Sequence, residues 1–479
     1  MADAPKPCDI LIRNAYVVTV DDDRRIFPAG AVAITGRRIV AVGPEREVAA
    51  AFRAARVIDA RGGVVHPGFV EGHYHASLHM SRGAIGDDPD NPALGHSRAG
   101  GGHGEDEPDI ATYSKWFNLI DEEDEYTASL ATAAELLRNG YTCFMEAGTV
   151  FEPDATAAAC AAAGIRALVA DPWLWDHTGI DQMAGEIARA PADTERCLAA
   201  LGGQLGRNAD PDALVRGYVC LYGCGTGSEE LIKAGKAKAD EAGVAFVQHQ
   251  NFLTEDTAGD DARFGRHALC HLAELGVLGP NTTLVHMNVL RDDEVAAVAS
   301  SGMSLVWHPG NYMFYALGKK APARMHDLHA RGVPVTFGTD AAKAWTFGDL
   351  PAIAYLVTRE AGHYLSAEKV LEMVTRDGAR AVGLQAEIGS LETGKRADLV
   401  IRAADRTDTA PFLDPVHEMM LVQRTHSVDT VLVDGRIVLR GGRLTRLDEA
   451  VVQDQARAWA RRMVERIGLA PGGRWPLVT

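Results

Sequence analysis

Two histidines one residue apart end the apolar run Val64-Val65-His66-Pro67-Gly68-Phe69-Val70-Glu71-Gly72-His73-Tyr74-His75. In an extended strand alternate side chains share a face, so His73 and His75 point the same way. Two neutral imidazoles held like this supply half of a metal coordination shell. Three later runs end in a comparable way: Ala245-Phe246-Val247-Gln248-His249, Thr283-Leu284-Val285-His286 and Val335-Thr336-Phe337-Gly338-Thr339-Asp340. A His-x-His pair alone is a weak signal, and a single histidine after a strand is commonly structural. Five such groups, all at strand ends, are hard to produce by accident. Imidazoles with a carboxylate suit a divalent first-row ion, and such an ion suits hydrolysis by activated water.

The elements that must position these groups alternate between strand and helix from Val64 to about Leu384. After the first strand, further strands are expected at Thr142–Glu146, Arg166–Ala170, Arg216–Leu221, Ala245–His249, Thr283–His286, Ser304–His308 and Val333–Phe337. Helical periodicity fills the gaps, for example at Tyr126–Arg138, Glu229–Glu241, Gly265–Glu274 and Asp293–Ser300. Eight βα units favour an α/β fold of the (β/α)₈ TIM-barrel kind, whose chemistry sits at the strand C-termini. A doubly wound open sheet is the structural alternative, but no Gly-x-Gly-x-x-Gly follows the first strand. Short strands without long helices flank this region at Cys8–Val20, Ala31–Ile34, Arg38–Val42 and Val57–Asp59, and again at Ala397–Ile401, Thr430–Val433 and Arg436–Arg440. Asp434-Gly435 marks a hairpin between the last two. Neither flank is large enough to bury a core alone, so the two are expected to pair into a discontinuous β-sandwich.

The expected partition is therefore 1–63 and 386–447 for the two parts of the small β-sandwich domain, 64–385 for the barrel, and 448–479 for a helix and tail on the outside. The Gly-, Asp- and His-rich stretch 82–108 follows the first barrel strand and is a candidate lid; its His96 and His103, like the nearby His79, need not be ligands. The net charge of -17 argues against nucleic acid and against an anionic membrane surface. Seven scattered cysteines form no Cys-x-x-Cys pair and suggest neither a thiolate zinc knuckle nor a disulfide framework. With no signal-like or membrane-spanning stretch, the expected location is the cytoplasm.

These motifs resemble those of the amidohydrolase superfamily, in the branch that holds cytosine, guanine and S-adenosylhomocysteine deaminases and the triazine chlorohydrolases. The matching residues are Pro67 to His75, His249, Val285-His286, Gly338-Thr339-Asp340 and the segment Gly389-Ser390-Leu391-Glu392-Thr393-Gly394-Lys395-Arg396-Ala397-Asp398-Leu399-Val400. The resemblance implies one divalent metal ion per chain on His73, His75, His249 and Asp340, with His286 close to the water or substrate oxygen. Zn²⁺ is the expected ion, with Fe²⁺, Mn²⁺ and Co²⁺ as alternatives. Asp340 would carry the proton and His286 would polarise the bond under attack. The fourth strand, Val219-Cys220-Leu221-Tyr222-Gly223, has no lysine at its tip, so the carbamylated bridge of two-metal members is not expected. Family members are often homo-oligomers.

Two departures bear on the substrate. The branch usually carries Glu three residues after the fifth-strand histidine; this chain has Phe252. The usual seventh-strand His-Cys-Pro is Trp307-His308-Pro309 here, followed by Asn311. Phe252, Trp307, His308, Asn311 and Trp345 are the expected substrate-binding residues, and the aromatics among them suggest a partly aromatic small molecule. Arg and Lys are sparse at the strand ends, which excludes a phosphorylated one. The expected function is a hydrolase cutting an amide-like C–N bond in an amide, urea, carbamate or cyclic amide. The alternatives are a heterocycle deaminase or dechlorinase, with Glu146 or Glu255 replacing the missing acid, and a catalytically inactive scaffold.

Overall fold

The alternating run Lys6–Val18 (β1) pairs antiparallel with Ile26–Thr35 (β2), which turns back into Arg38–Pro44 (β3). A short helix, Glu45–Ala51, leads to Phe52–Asp59 (β4), which lies parallel to β1. Val64–Pro67 (β5) then pairs parallel with the end of β1. The structure, a computed structural model, describes residues 4–82, 116–177, 187–190, 193–341 and 345–467. The expected lid at 83–108, with His96 and His103, lies outside the described residues.

The central sheet is built from short parallel strands. Phe69–Tyr74 (β6), Tyr141–Glu146 (β7), Arg166–Val169 (β8) and Val215–Gly217 (β9) form one run. Val219–Gly223 (β10), Phe246–Gln250 (β11), Thr282–His286 (β12), Ser304–Trp307 (β13) and Val335–Phe337 (β14) form the other. β9 and β10 are two halves of one strand broken at Tyr218, whose N–H still donates to Val169 O at 3.2 Å. The ring closes where Tyr74 pairs in parallel with Asp340. The chain is thus an eight-stranded (β/α) barrel, with the fourth strand in two pieces.

Side chains of alternate parity fill its two layers. Val70, Cys143, Val247, Val285 and Val306 face the interior, with Ala379 and Ile388 among them. Phe69, Phe144, Phe246, Leu284, Leu305 and Phe337 face the helices. The helix Glu122–Arg138 shows why such elements start where they do: Asp121 accepts from the Asp124 N–H, and four acidic residues occupy its first turn.

The chain returns to the terminal sheet through Leu399–Arg402 (β15), which pairs with β5, and then Val428–Val433 (β16), Arg436–Arg440 (β17) and Arg443–Leu444 (β18). Among the described residues hydrogen bonds link nine strands into one sheet. Asp434 and Gly435 both have positive φ, 52° and 74°, as the hairpin requires. Arg166 of β8 ties this sheet to the barrel: it is buried, 2.9 Å from Asp398 and 3.3 Å from Asp434.

One expectation needs correction. The run Val64–His75 is two strands, not one, and residues 64–67 belong to the terminal sheet. Gly68 is the break: its N–H donates to Asp398 O, while the next N–H, of Phe69, donates to Gly140 O, both at 3.0 Å. The C-terminal helix Glu449–Ile467 packs on the outside of the barrel through one buried face. Trp459 and Met463 are buried, and the Trp459 ring meets Trp116 at 4.9 Å between centroids.

A Cβ on Gly68 would stand 2.0 Å from Thr142 Oγ1 on β7. Gly68→Ala is therefore expected to destabilise the fold by about 1–3 kcal/mol, as overpacking does. A fall in the thermal midpoint measured by calorimetry checks this.

Candidate metal centre and pocket

Four expected groups meet at the C-terminal rim of the barrel. His73 Nε2 lies 3.3 Å from His75 Nε2 and 3.0 Å from His249 Nε2. Asp340 Oδ1 lies 2.8 Å from His75 Nε2. Donors around a tetrahedral zinc, with bonds of about 2.0–2.1 Å, stand about 3.3 Å apart. His73, His75 and His249 form one potential ligand group, and His286, His308 and Asp340 a second beside it.

The protons of two rings are accounted for on the far side. His249 Nδ1–H donates to the Tyr222 carbonyl at 2.5 Å, and a carbonyl can only accept. His75 Nδ1–H donates to Thr149 Oγ1 at 2.9 Å, whose own proton goes to Glu146 at 3.2 Å. Both rings therefore aim bare Nε2 lone pairs at the same point. Burial, then His249 and His75, push His73 well below the usual imidazole range. Burial and His75 push His249 down to about 3. Converging neutral lone pairs repel one another unless a cation sits among them, so the donor set fits a divalent metal ion.

Asp340 and His286 reach the site by backbone turns. Val285 faces the barrel interior, so the next residue of a regular strand would face the helices. His286 instead has φ +74°, and Asp340 has φ +61°. Left-handed backbone at non-glycine residues costs of order 1–3 kcal/mol each and clusters at functional sites. Burial alone would raise the Asp340 carboxyl, but the ring of His75, then those of His308 and His286, hold it well below the usual carboxylate range.

The walls are aromatic. Phe252 stacks on His286 with centroids 4.2 Å apart, Tyr222 lies on His249 at 4.9 Å, and Trp173 stacks on Tyr222 at 5.1 Å. Trp345 covers Gly310, where an added Cβ would come within 2.4 Å of the ring.

The other expected pocket residues fall differently. Trp307 is not a pocket residue: it shares the outward parity of Leu305 and packs against Tyr312 and Phe337 in the helix layer. His308, the next residue, faces inward and contacts His286, Nδ1 to Nδ1, at 2.9 Å. Asn311 is tied on one side, its Nδ2–H donating to Asp340 Oδ2, while its Oδ1 has no hydrogen-bond partner among the described residues. Neither proposed substitute acid replaces the glutamate missing at Phe252. Glu146 is buried behind His75, accepting from Gly148 and Thr149. Glu255 is paired with Lys320 at 3.1 Å. His79 is held by the Tyr74 hydroxyl at 2.8 Å and by Arg82, away from the donor set.

Sequence reasoning missed Thr149, the Tyr222 carbonyl and Glu71. Thr149 sits in the loop directly after β7, a position that marks barrel loops generally. A backbone carbonyl leaves no sequence signal.

Residues 64–438 match the Amidohydrolase family. The chain belongs to the amidohydrolase family. It is 30% identical over 470 residues to the 5-methylthioadenosine/S-adenosylhomocysteine deaminase of Syntrophobacter fumaroxidans, spanning 95% of this chain and 98% of the relative. It is 27% identical over 475 residues to the 5'-deoxyadenosine deaminase of Methanosarcina mazei, spanning 96% and 99%. Among solved structures, an adenosine deaminase from Xanthomonas campestris with bound zinc superposes with a TM-score of 0.83 at 25% identity, over 96% of this chain and 100% of that one. The zinc complex of an Arthrobacter aurescens atrazine chlorohydrolase shares the fold, with a TM-score of 0.80 at 23% identity over 94% and 100%.

The Glu146–Thr149–His75 chain makes a specific demand. Thr149→Val removes the acceptor that orients His75, and loss of such a support typically costs about 10–100-fold in metal affinity. Competition with a metal-sensitive chelator is expected to show that loss, with Thr149→Ser near the parent value.

Proposed function

We propose that this hydrolase of carbon–nitrogen bonds other than peptide bonds cleaves an amide-like bond, in an amide, urea, carbamate or cyclic amide, of a small, partly aromatic molecule. The observation that carries the reading is Phe252. Its ring lies on His286, and among the described residues no carboxylic acid takes the place of a ring-protonating glutamate. A deaminase must protonate a ring nitrogen as water adds to the adjacent carbon. An exocyclic carbonyl makes no such demand.

His73, His75, His249 and Asp340 would hold one divalent ion, Zn²⁺ foremost, in line with the zinc of the Xanthomonas structure. Such an ion supplies Lewis acidity and makes water acidic enough to react near neutral pH. Asp340 accepts the proton as the water oxygen bonds to the carbonyl carbon. It then delivers that proton to the leaving nitrogen as the C–N bond breaks. Asn311, bonded to the other Asp340 oxygen, keeps the carboxylate aimed. His286 faces the negative charge that develops on the carbonyl oxygen. Phe252 and Tyr222 give the apolar part of the substrate a dry wall.

A second reading, heterocycle deamination, is favoured by the deaminases among the relatives. The retained donor set opposes an inactive scaffold. The reading also includes a homo-oligomer, which rests on the family resemblance, and a cytoplasmic location; no helix among the described residues is long and apolar enough to cross a membrane.

Amine release from aryl amides, ureas and carbamates, compared with ammonia release from aminopurines, aminopyrimidines and aminotriazines, separates the two. Acyl-type turnover is expected to dominate, to vanish on chelation and to return with Zn²⁺. Fast deamination without acyl-type turnover would establish the second reading. Asp340→Asn is expected to lose about 10²–10⁴-fold in kcat while keeping some metal, because an amide ligates weakly but carries no proton. Steady-state kinetics with metal analysis of the same sample checks it.

A further inference from the structure

His286 and His308 contact each other through Nδ1 of each ring, at 2.9 Å. Two imidazole nitrogens this close share one proton, so one ring donates and the other accepts. The surroundings of His308 decide which. The ring is buried, and its Nε2 has no hydrogen-bond partner. That nitrogen lies against Gly338, where an added Cβ would stand 2.6 Å away.

If His308 accepted at Nδ1, its Nε2 would carry a buried N–H with no acceptor. If it donates from Nδ1, Nε2 is a bare lone pair. Nature tolerates an under-used acceptor better than an orphaned N–H. The donating arrangement is therefore favoured, and it makes His286 Nδ1 the acceptor. A neutral imidazole carries one proton, so the His286 proton must then sit on Nε2. The ring cannot easily reorient, because Phe252 stacks on it at 4.2 Å and His249 at 5.2 Å.

We infer that His308 is a positioning residue whose Nδ1–H fixes the tautomer of His286 and so presents His286 to the substrate as an Nε2–H donor. The inference rests on the hydrolase reading above, in which His286 meets the substrate oxygen. It gives a reason for the one-residue offset in Trp307-His308-Pro309: inward parity falls on residue 308. It also gives a reason for Gly338, since a side chain there would displace the His308 ring.

The test uses the zinc-loaded full chain with ¹⁵N-labelled histidine, in which long-range ¹H–¹⁵N spectra report the tautomer of each ring. His308→Asn keeps a donor near Nδ1, whereas the nearly isosteric His308→Asp offers only an acceptor. His286 is expected to be Nε2-protonated in the parent and in His308→Asn, and Nδ1-protonated in His308→Asp. With a substrate from the panel, His308→Asn is expected to keep kcat within about tenfold. His308→Asp is expected to lose about 10²–10³-fold in kcat with KM little changed, the size of a lost oxyanion donor. A merely structural role would lower both variants alike and leave the tautomer unmoved. An Nδ1-protonated His286 in the parent, or an unchanged tautomer in His308→Asp, overturns the inference. So does a metal content that falls in His308→Asn, which would make His308 a ligand. The spectra need no turnover, so failure to find a substrate would count against the hydrolase reading and not against this one.

Discussion

Closure of the barrel between β6 and β14 is the constraint on which the site depends. His75 N–H donates to Asp340 O, and Asp340 N–H donates to His73 O, at 3.1 and 3.0 Å. Buried Glu71 reinforces this seam by accepting from the Thr339 N–H at 2.7 Å, the Thr339 hydroxyl at 2.8 Å and the His73 N–H at 3.2 Å. Burial pushes the Glu71 carboxyl up to about 8 against the pull of those bonds. Two segments more than 260 residues apart thus share one short ladder, and that ladder sets the spacing of His73, His75 and Asp340. Without it the ligand nitrogens and the carboxylate would have no common point to face.

The same burial that closes the seam prepares the chemistry. Burial in a low-dielectric rim holds His73 and His249 neutral, which is the form that binds a metal ion. The cost is a crowd of imidazole nitrogens around one point, with the Nε2 atoms of His75 and His249 bare, and positive-φ backbone at His286 and Asp340. The rigid surroundings hold these unfavourable features in place: Thr149 and Glu146 behind His75, the Tyr222 carbonyl behind His249, and Asn311 on Asp340. The aromatic rings of Phe252, Tyr222 and Trp173 then line one side of the rim.

The terminal sheet contributes through anchorage. Arg166 reaches from β8 to Asp398 and Asp434, so the barrel and the sheet share a buried charge group. Removing one partner from such a group leaves a buried unpaired charge, at a cost of about 3–5 kcal/mol. Arg462 and Arg466 of the C-terminal helix each reach Asp124 at 3.1 Å. Trp459 and Met463 share a buried cluster with Leu78, Trp173 and Ala341, residues of loops that follow the strand ends. The last helix therefore supports the rim from outside.

The sequence by itself determined the barrel, the two-part terminal sheet and the positions of His73, His75, His249, His286 and Asp340, because strand periodicity and a polar residue at each strand end are local properties. It also carried the Phe252 departure, since that depends only on spacing from His249. It did not determine which side of a strand end a residue occupies. Trp307 and His308 both read as pocket residues in sequence; in the barrel the parity set by Val306 turns Trp307 outward and His308 inward. Nor could it place the break at Gly68, which follows from hydrogen bonds to Asp398 and Gly140 on distant segments. His286 lies inside only because its φ is positive, and the roles of Thr149 and Asn311 exist only through contacts across the barrel. Those features depend on long-range register and backbone turns, which local residue patterns do not encode.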